Sequence, residues 1–179
     1  MTVDPAISAT AALFTGGMFL LAAAHKVSDF RRFVATVRAY RIVADDMAAF
    51  AGALAVAAEL TAGALTLSIG AAWQQVGILL SMALLGAYAG IILLNIARGN
   101  VAIDCGCLGF TAKAPRLTTA QALRNGVLIA LAGLSLPPVS GRPLEWLDYV
   151  AVTASLAALA LLYAGFDLAI ALSNKEMPA

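Results

Sequence analysis

The chain has 179 residues, 62% of them hydrophobic and 12% charged, with a formal net charge of +1 and a mean hydropathy of +0.91. So few polar residues cannot cover the surface of a soluble domain this size, so the composition points to an integral membrane protein. The near-neutral balance, with no basic cluster outside the membrane-flanking segments, gives no footprint for a nucleic acid.

Taken in order, the first apolar run covers residues 6–24 and ends at His25-Lys26. No positive residue precedes Lys26, so the run lacks the charged start of a signal peptide and is expected to stay in the mature protein. In the next stretch Phe30, Phe33, Val34, Val37 and Tyr40 follow helical spacing, while Arg31, Arg32 and Arg38 take the other side. That pattern predicts an interfacial helix over about 28–43, capped by Ser28 or Asp29. Asp45 and Asp46 then stand where caps of the second span belong.

The second span covers about 47–69 and is interrupted by Glu59; a short loop, 70–75, holds Trp73 at the interface. The third covers about 76–97, with Asn95 near its end. The fourth, about 119–136, carries Arg124-Asn125 and stops at Pro137-Pro138; the fifth, about 149–172, carries Asp167. The predicted fold is all-α: one domain over 1–179, an integral membrane bundle of five transmembrane helices plus an interfacial amphipathic helix. Gly16, Gly17, Gly52, Gly63, Gly86 and Gly90 would let the helices approach closely.

Antiparallel order sorts the loops onto two membrane faces. His25, Lys26, the interfacial helix, Arg98, the segment after it, Arg124, Asn125 and Asp167 fall on one of them. That face holds ten of the eleven Lys and Arg residues, and the other holds Arg142. The positive-inside bias makes the ten-residue face cytoplasmic.

That same face carries both cysteines, in Asp104-Cys105-Gly106-Cys107-Leu108-Gly109. Thiols at i and i+2 diverge on a helix, but in a tight turn their Cα atoms come within disulfide range, and Gly106 permits the backbone this needs. A ring so small is strained and gains little from constraining the unfolded chain, so it suits electron exchange better than stapling. Asp104, Arg98 and Arg116 would tune the thiolates. Two other readings stay open: a metal site from Cys105, Cys107, His25 and Asp104, or two inert thiols.

Glu59 lies about 18 Å into its span at 1.5 Å per residue. A carboxyl there is a proton relay, a ligand for the head of a quinone, or a polar clamp between helices. Taken as an isolated buried carboxyl, it would make Glu59→Leu stabilising. His25, the chain's one histidine, shares the dithiol's face. Arg124 either pairs with Asp167 or faces the thiols.

His25-Lys26, the segment from Asp29-Phe30-Arg31-Arg32-Phe33 to Tyr40-Arg41, Glu59, the cysteine string and Arg124-Asn125 together resemble the MauE family, membrane proteins akin to DoxX-like proteins. The resemblance extends over nearly the whole chain. It implies a multi-pass protein of the bacterial cell membrane, a thiol–disulfide oxidoreductase that assists disulfide formation in an exported client protein alongside a thioredoxin-like partner. On this basis Cys105 and Cys107 are the redox pair, and Asp104, His25 and Arg124 set their environment. The order of spans is also similar to that of vitamin K epoxide reductase-type bundles, which pass electrons to a quinone. This chain lacks their additional cysteine pair, so a partner must supply one. The alternative is a non-enzymatic membrane scaffold, or a metal-binding or transport component. The resemblance implies a dithiol facing the exterior, opposite to the charge count.

Overall fold

A computed structural model describes residues 2–103 and 116–176. Among them are six α-helices: α1 (Pro5–Ser28), α2 (Phe30–Ala39), α3 (Ala48–Thr66), α4 (Ala71–Ala97), α5 (Thr119–Gly133) and α6 (Trp146–Glu176). α1 is the central post of the bundle: α2, α3, α4, α5 and α6 all pack against it, α3 and α5 also pack on α4, and α2 lies on α3. Large apolar side chains such as Leu21, Phe50, Leu54 and Leu161 are exposed on the outside, as expected where lipid is the solvent.

Four helical segments are long and apolar enough to cross a membrane: Pro5–Ser28, Asp45–Thr66, Ala71–Ala97 and Trp146–Ile170. One of the five spans expected from the sequence is not among them. The fourth apolar run forms α5, of 15 residues, about 22 Å long at 1.5 Å per residue. Gly133 ends it, and 134–136 continue as a tight turn whose N–H groups donate back to Leu131, Ala132 and Gly133, before Pro137-Pro138 exclude further helix.

Other boundaries also moved. The interfacial helix is shorter than 28–43; Asp29 is its N-cap, its carboxylate accepting from the Arg32 N–H at 3.2 Å. Asp45 and Asp46 form a single 3₁₀ turn instead of capping α3, whose N-cap is Met47 with no side-chain hydrogen bond. The stretch expected as a loop over 70–75 is already helical from Ala71. Ala-Ala-Trp-Gln-Gln has no breaker after Gly70, and helix propensity continues where hydrophobicity has lapsed.

The two-face sorting holds among the described residues. On one face Asn100 Nδ2 donates to the Ala39 carbonyl at 3.0 Å and Arg98 Nη1 to the Arg41 carbonyl at 3.5 Å, tying the end of α4 to the end of α2. On the other, Val3 pairs with Val139 as an isolated bridge. Arg142 there donates to Asp148 at 2.7 Å and to Asp4 at 2.9 Å; those hydrogen bonds, Asp148's foremost, hold its guanidinium above its ordinary range.

Of the glycines singled out for close approach, Gly16 and Gly63 face one another across α1 and α3: a Cβ on Gly63 would lie 3.0 Å from the Gly16 carbonyl oxygen. Gly17, Gly86 and Gly90 face open space. The tightest site among the described residues is Gly77, not foreseen, where a Cβ would stand 2.2 Å from the Thr66 backbone nitrogen. Gly77→Ala should therefore destabilise by about 1–3 kcal/mol, as overpacking does. Gly86→Ala should be neutral or stabilising by up to about 1 kcal/mol through helix propensity. Thermal unfolding of both variants in micelles, followed by circular dichroism, checks the contrast; equal shifts would remove Gly77 from the α3–α4 contact.

Candidate functional site

The inward stripe of α1 runs Phe19, Ala23, Lys26 at spacings of four and three, so the helical period that buries the first two also buries the lysine. α3 does the same with Gly52, Val56, Glu59 and Gly63. The stripes meet, and the Lys26 ammonium donates to Glu59 Oε1 in a buried ion pair. From α4 the Tyr88 hydroxyl donates to that same oxygen at 2.6 Å. The Lys26 nitrogen also lies 5.3 Å from the ring centroids of both Phe33 and Tyr88, within reach of their π faces. Phe33 belongs to α2, so that short helix contributes to the covering of the charge.

Glu59 is 1% exposed. A carboxylate this deep is expensive unless paired and hydrogen-bonded. Its Oε1 accepts from Lys26 and Tyr88, whereas Oε2 has no hydrogen-bond partner among the described residues.

A second pair, partly buried, lies across the bundle. Arg124 of α5 donates to Asp167 of α6, and its guanidinium carbon sits 4.9 Å from the Tyr163 ring centroid. Beside it, Asn125 is buried with Nδ2 lacking a hydrogen-bond partner among the described residues. A small cavity of about 40 Å³ lies between the two pairs and is lined by Glu59, Tyr88, Arg124, Asn125 and Tyr163 among others. A larger apolar cavity of about 220 Å³ opens beneath α2, with Phe33, Tyr40, Tyr88 and Ile92 in its walls.

Asp104, Cys105 and Cys107 lie outside the described residues. The two strands of chain that lead to them do not. The Leu117 N–H donates to the Val101 carbonyl at 2.9 Å, and Ile103 and Leu117 pack with Ile92 into one buried cluster against which Tyr40 rests. Both stems thus leave the bundle at the end of α4, beside α2 and one wall of the larger cavity.

Among the residues predicted for the site, the structure brings Glu59 and Arg124 to opposite sides of one cavity. His25 is exposed, one step off the stripe that carries Lys26 inward. Among the described residues no group of three His, Cys, Asp or Glu side chains is placed to hold a metal ion. Sequence reasoning missed Lys26, Tyr88 and Asn125 as parts of the buried network. Lys26 was legible: it continues the i, i+4, i+7 stripe of Phe19 and Ala23, but its position at the end of a span made it look like a flanking charge.

Comparison with known proteins fits this geometry to a family. The sequence profile described as "Methylamine utilisation protein MauE" matches residues 4–138. Methylamine utilization protein MauE of Methylophilus methylotrophus is 28% identical over 176 residues, covering 95% of this chain and 89% of that protein. Its counterpart from Paracoccus denitrificans is 30% identical over 138 residues, covering 73% of this chain and 68% of that protein. No solved structure matches the chain. With the profile spanning all but the last helix, and four helices able to cross a bilayer, the chain belongs to the MauE family and is a multi-pass membrane protein.

Proposed function

We propose that this protein performs thiol–disulfide exchange at the membrane during maturation of an exported protein, in the methylamine utilisation for which its relatives are named. One observation carries the reading: the chain's two cysteines, Cys105 and Cys107, stand one residue apart between two stems that the fold clamps together. The stems are joined by the Leu117–Val101 hydrogen bond and the shared packing on Ile92. In this reading α5 also crosses the bilayer, completing a five-span bundle, with its C-terminal end extended by the turn at 134–136.

The chemistry balances as follows. A thiolate of a thioredoxin-like partner attacks one sulfur of the Cys105–Cys107 disulfide; that S–S bond breaks, a mixed disulfide forms, and the other cysteine leaves as a thiolate. The partner's second thiolate then attacks the mixed disulfide, so the partner, or the client it serves, gains a disulfide while the chain holds two thiols. Re-oxidation of the pair requires an acceptor of two electrons and two protons, which a lipid-soluble quinone would supply. The apolar cavity beneath α2 offers room for such a ring next to the stems. Asp104, His25 and Arg124 shape the charge around the thiols, and Glu59 exchanges protons or holds the quinone head.

In Cys105→Ser and Cys107→Ser the remaining thiolate should attack the disulfide of the oxidised partner and expel one of its thiolates, trapping a covalent adduct, in unequal amounts because the more exposed sulfur reacts faster. The double mutant should trap none. Non-reducing gels of crosslinked membranes read this out. If neither single mutant yields an adduct while the protein is still inserted, the scaffold or metal-binding reading replaces this one.

A further inference from the structure

An apolar groove and a cluster of arginines adjoin at the cation-rich end of the bundle. The groove is the opening of about 220 Å³ beneath α2. Phe33, Val37 and Tyr40 form one of its walls, at the spacing of four and three that aligns them on one side of α2. Ala55 of α3 and Ile91 of α4 stand in the others. Past the end of α2 the chain lines the groove again at Ile42 and Val43, and the exposed Arg41 stands between Tyr40 and Ile42.

Two further arginines are fixed to this connection. Arg98 Nη1 donates to the Arg41 carbonyl at 3.5 Å, and Arg38 Nε donates to the Asp45 carbonyl at 3.3 Å. Arg98 follows Ile91 by seven residues, so it tops the side of α4 that walls the groove. Both guanidiniums are thus held by neutral carbonyls, which leave their charge and several N–H donors for an anion. Asp45 and Asp46 are exposed on the adjoining turn. Among the described residues neither of them forms a salt bridge with Arg38, Arg41 or Arg98.

We infer that this place binds an anionic phospholipid, with its phosphodiester on Arg38, Arg41 and Arg98 and one acyl chain in the groove. A neutral ring or chain would use the groove and leave the arginines idle, and an inorganic anion would do the reverse. A ligand that uses both is an amphiphile with a negative head, which at a membrane surface is an anionic lipid. Ile42 and Met47, in the same connection, are exposed, as suits contact with lipid. The inference goes beyond the exchange reaction and does not rest on it.

Native mass spectrometry of the full chain in an uncharged detergent tests it, with equal amounts of dioleoyl phosphatidylglycerol and dioleoyl phosphatidylcholine. The acyl chains are identical, so the ratio of the two bound forms reads the headgroup. Phosphatidylglycerol should be favoured several-fold, since one basic side chain near an anionic headgroup contributes about fivefold. Arg38→Gln/Arg98→Gln should bring the ratio close to unity. Arg31→Gln/Arg32→Gln, which removes equal charge from the first turn of α2, should keep most of the preference. Ala55→Phe, which fills the groove, should lower the amount of both lipids bound.

Equal binding of the two lipids by the unmutated protein overturns the inference, with no variant needed. So do equal losses in the two arginine pairs, which would make the preference a property of the whole face. So does a folded Ala55→Phe that holds phosphatidylglycerol undiminished. If a short-chain benzoquinone at equal concentration displaces phosphatidylglycerol, and binds Arg38→Gln/Arg98→Gln as well, the groove is a site for neutral rings and the inference falls. No readout involves the cysteines, so failure here leaves the exchange reaction standing, and a missing partner adduct leaves the lipid site standing.

Discussion

Lys26→Met should cost about 3–5 kcal/mol of stability, because it leaves the Glu59 carboxylate buried with a tyrosine hydroxyl as its remaining direct donor. Glu59→Leu should cost a similar amount by stranding the ammonium. The double variant Lys26→Met/Glu59→Leu should recover most of the loss, and could exceed the unmutated protein by about 1–4 kcal/mol, since apolar packing replaces a pair whose desolvation offsets its attraction. This reverses the expectation for Glu59→Leu drawn from the sequence, which treated the carboxyl as isolated; the lysine that meets it changes the sign. Glu59→Gln should fall between, as the amide oxygen still accepts from Lys26 and Tyr88. Reversible unfolding in mixed micelles, run as a double-mutant cycle, measures the coupling. Additive losses would mean that the two charges do not depend on each other.

Asp167→Leu should have the second large effect, again about 3–5 kcal/mol, with a more local outcome. A stranded lysine can shed its proton and become a neutral amine, but a guanidinium stays charged. Arg124 would then have to leave its place between α5 and α6 or draw water to itself. α6 is lightly packed: among its described residues Ile170 alone is buried, and its other ties are its packing on α1 and the Arg142–Asp148 pair at its opposite end. The expected result is detachment of α6, seen as faster proteolytic cleavage in the 139–145 connection, while the contacts of α1 with α3 persist. Arg124→Leu added to Asp167→Leu should restore protection. If Asp167→Leu is cleaved no faster than the unmutated protein, α6 is held by its packing on α1 and the ion pair is incidental.

The sequence made some of this legible and hid the rest for identifiable reasons. Hydrophobic runs located α1, α3, α4 and α6, and amphipathic spacing located α2, because those signals are local. Glu59 stood out since a carboxylate in an apolar run has few bland explanations. Lys26 did not, because a basic residue at the end of a span looks like a topology signal whether its side chain turns outward or in. Tyr88 and Asn125 are unremarkable in composition and acquire meaning only from what stands opposite them. The length of α5 was overestimated because the apolar letters of 134–136 continue after the helix has tightened into a turn. For Cys105 and Cys107 the spacing itself was the signal, and the structure adds where the flanking chain is anchored.

The separation of the charged partners along the chain bears on how the protein is made. Lys26 meets an acid 33 residues later, and Arg124 meets one 43 residues later. A ribosome delivering the chain from its start therefore presents α1 to the bilayer with an uncompensated cation, and the cost persists until α3 emerges. The same holds for α5, short and carrying arginine, until α6 follows. Each pair can close only after its second helix has emerged, so insertion is expected to be completed for α1 together with α3 and for α5 together with α6.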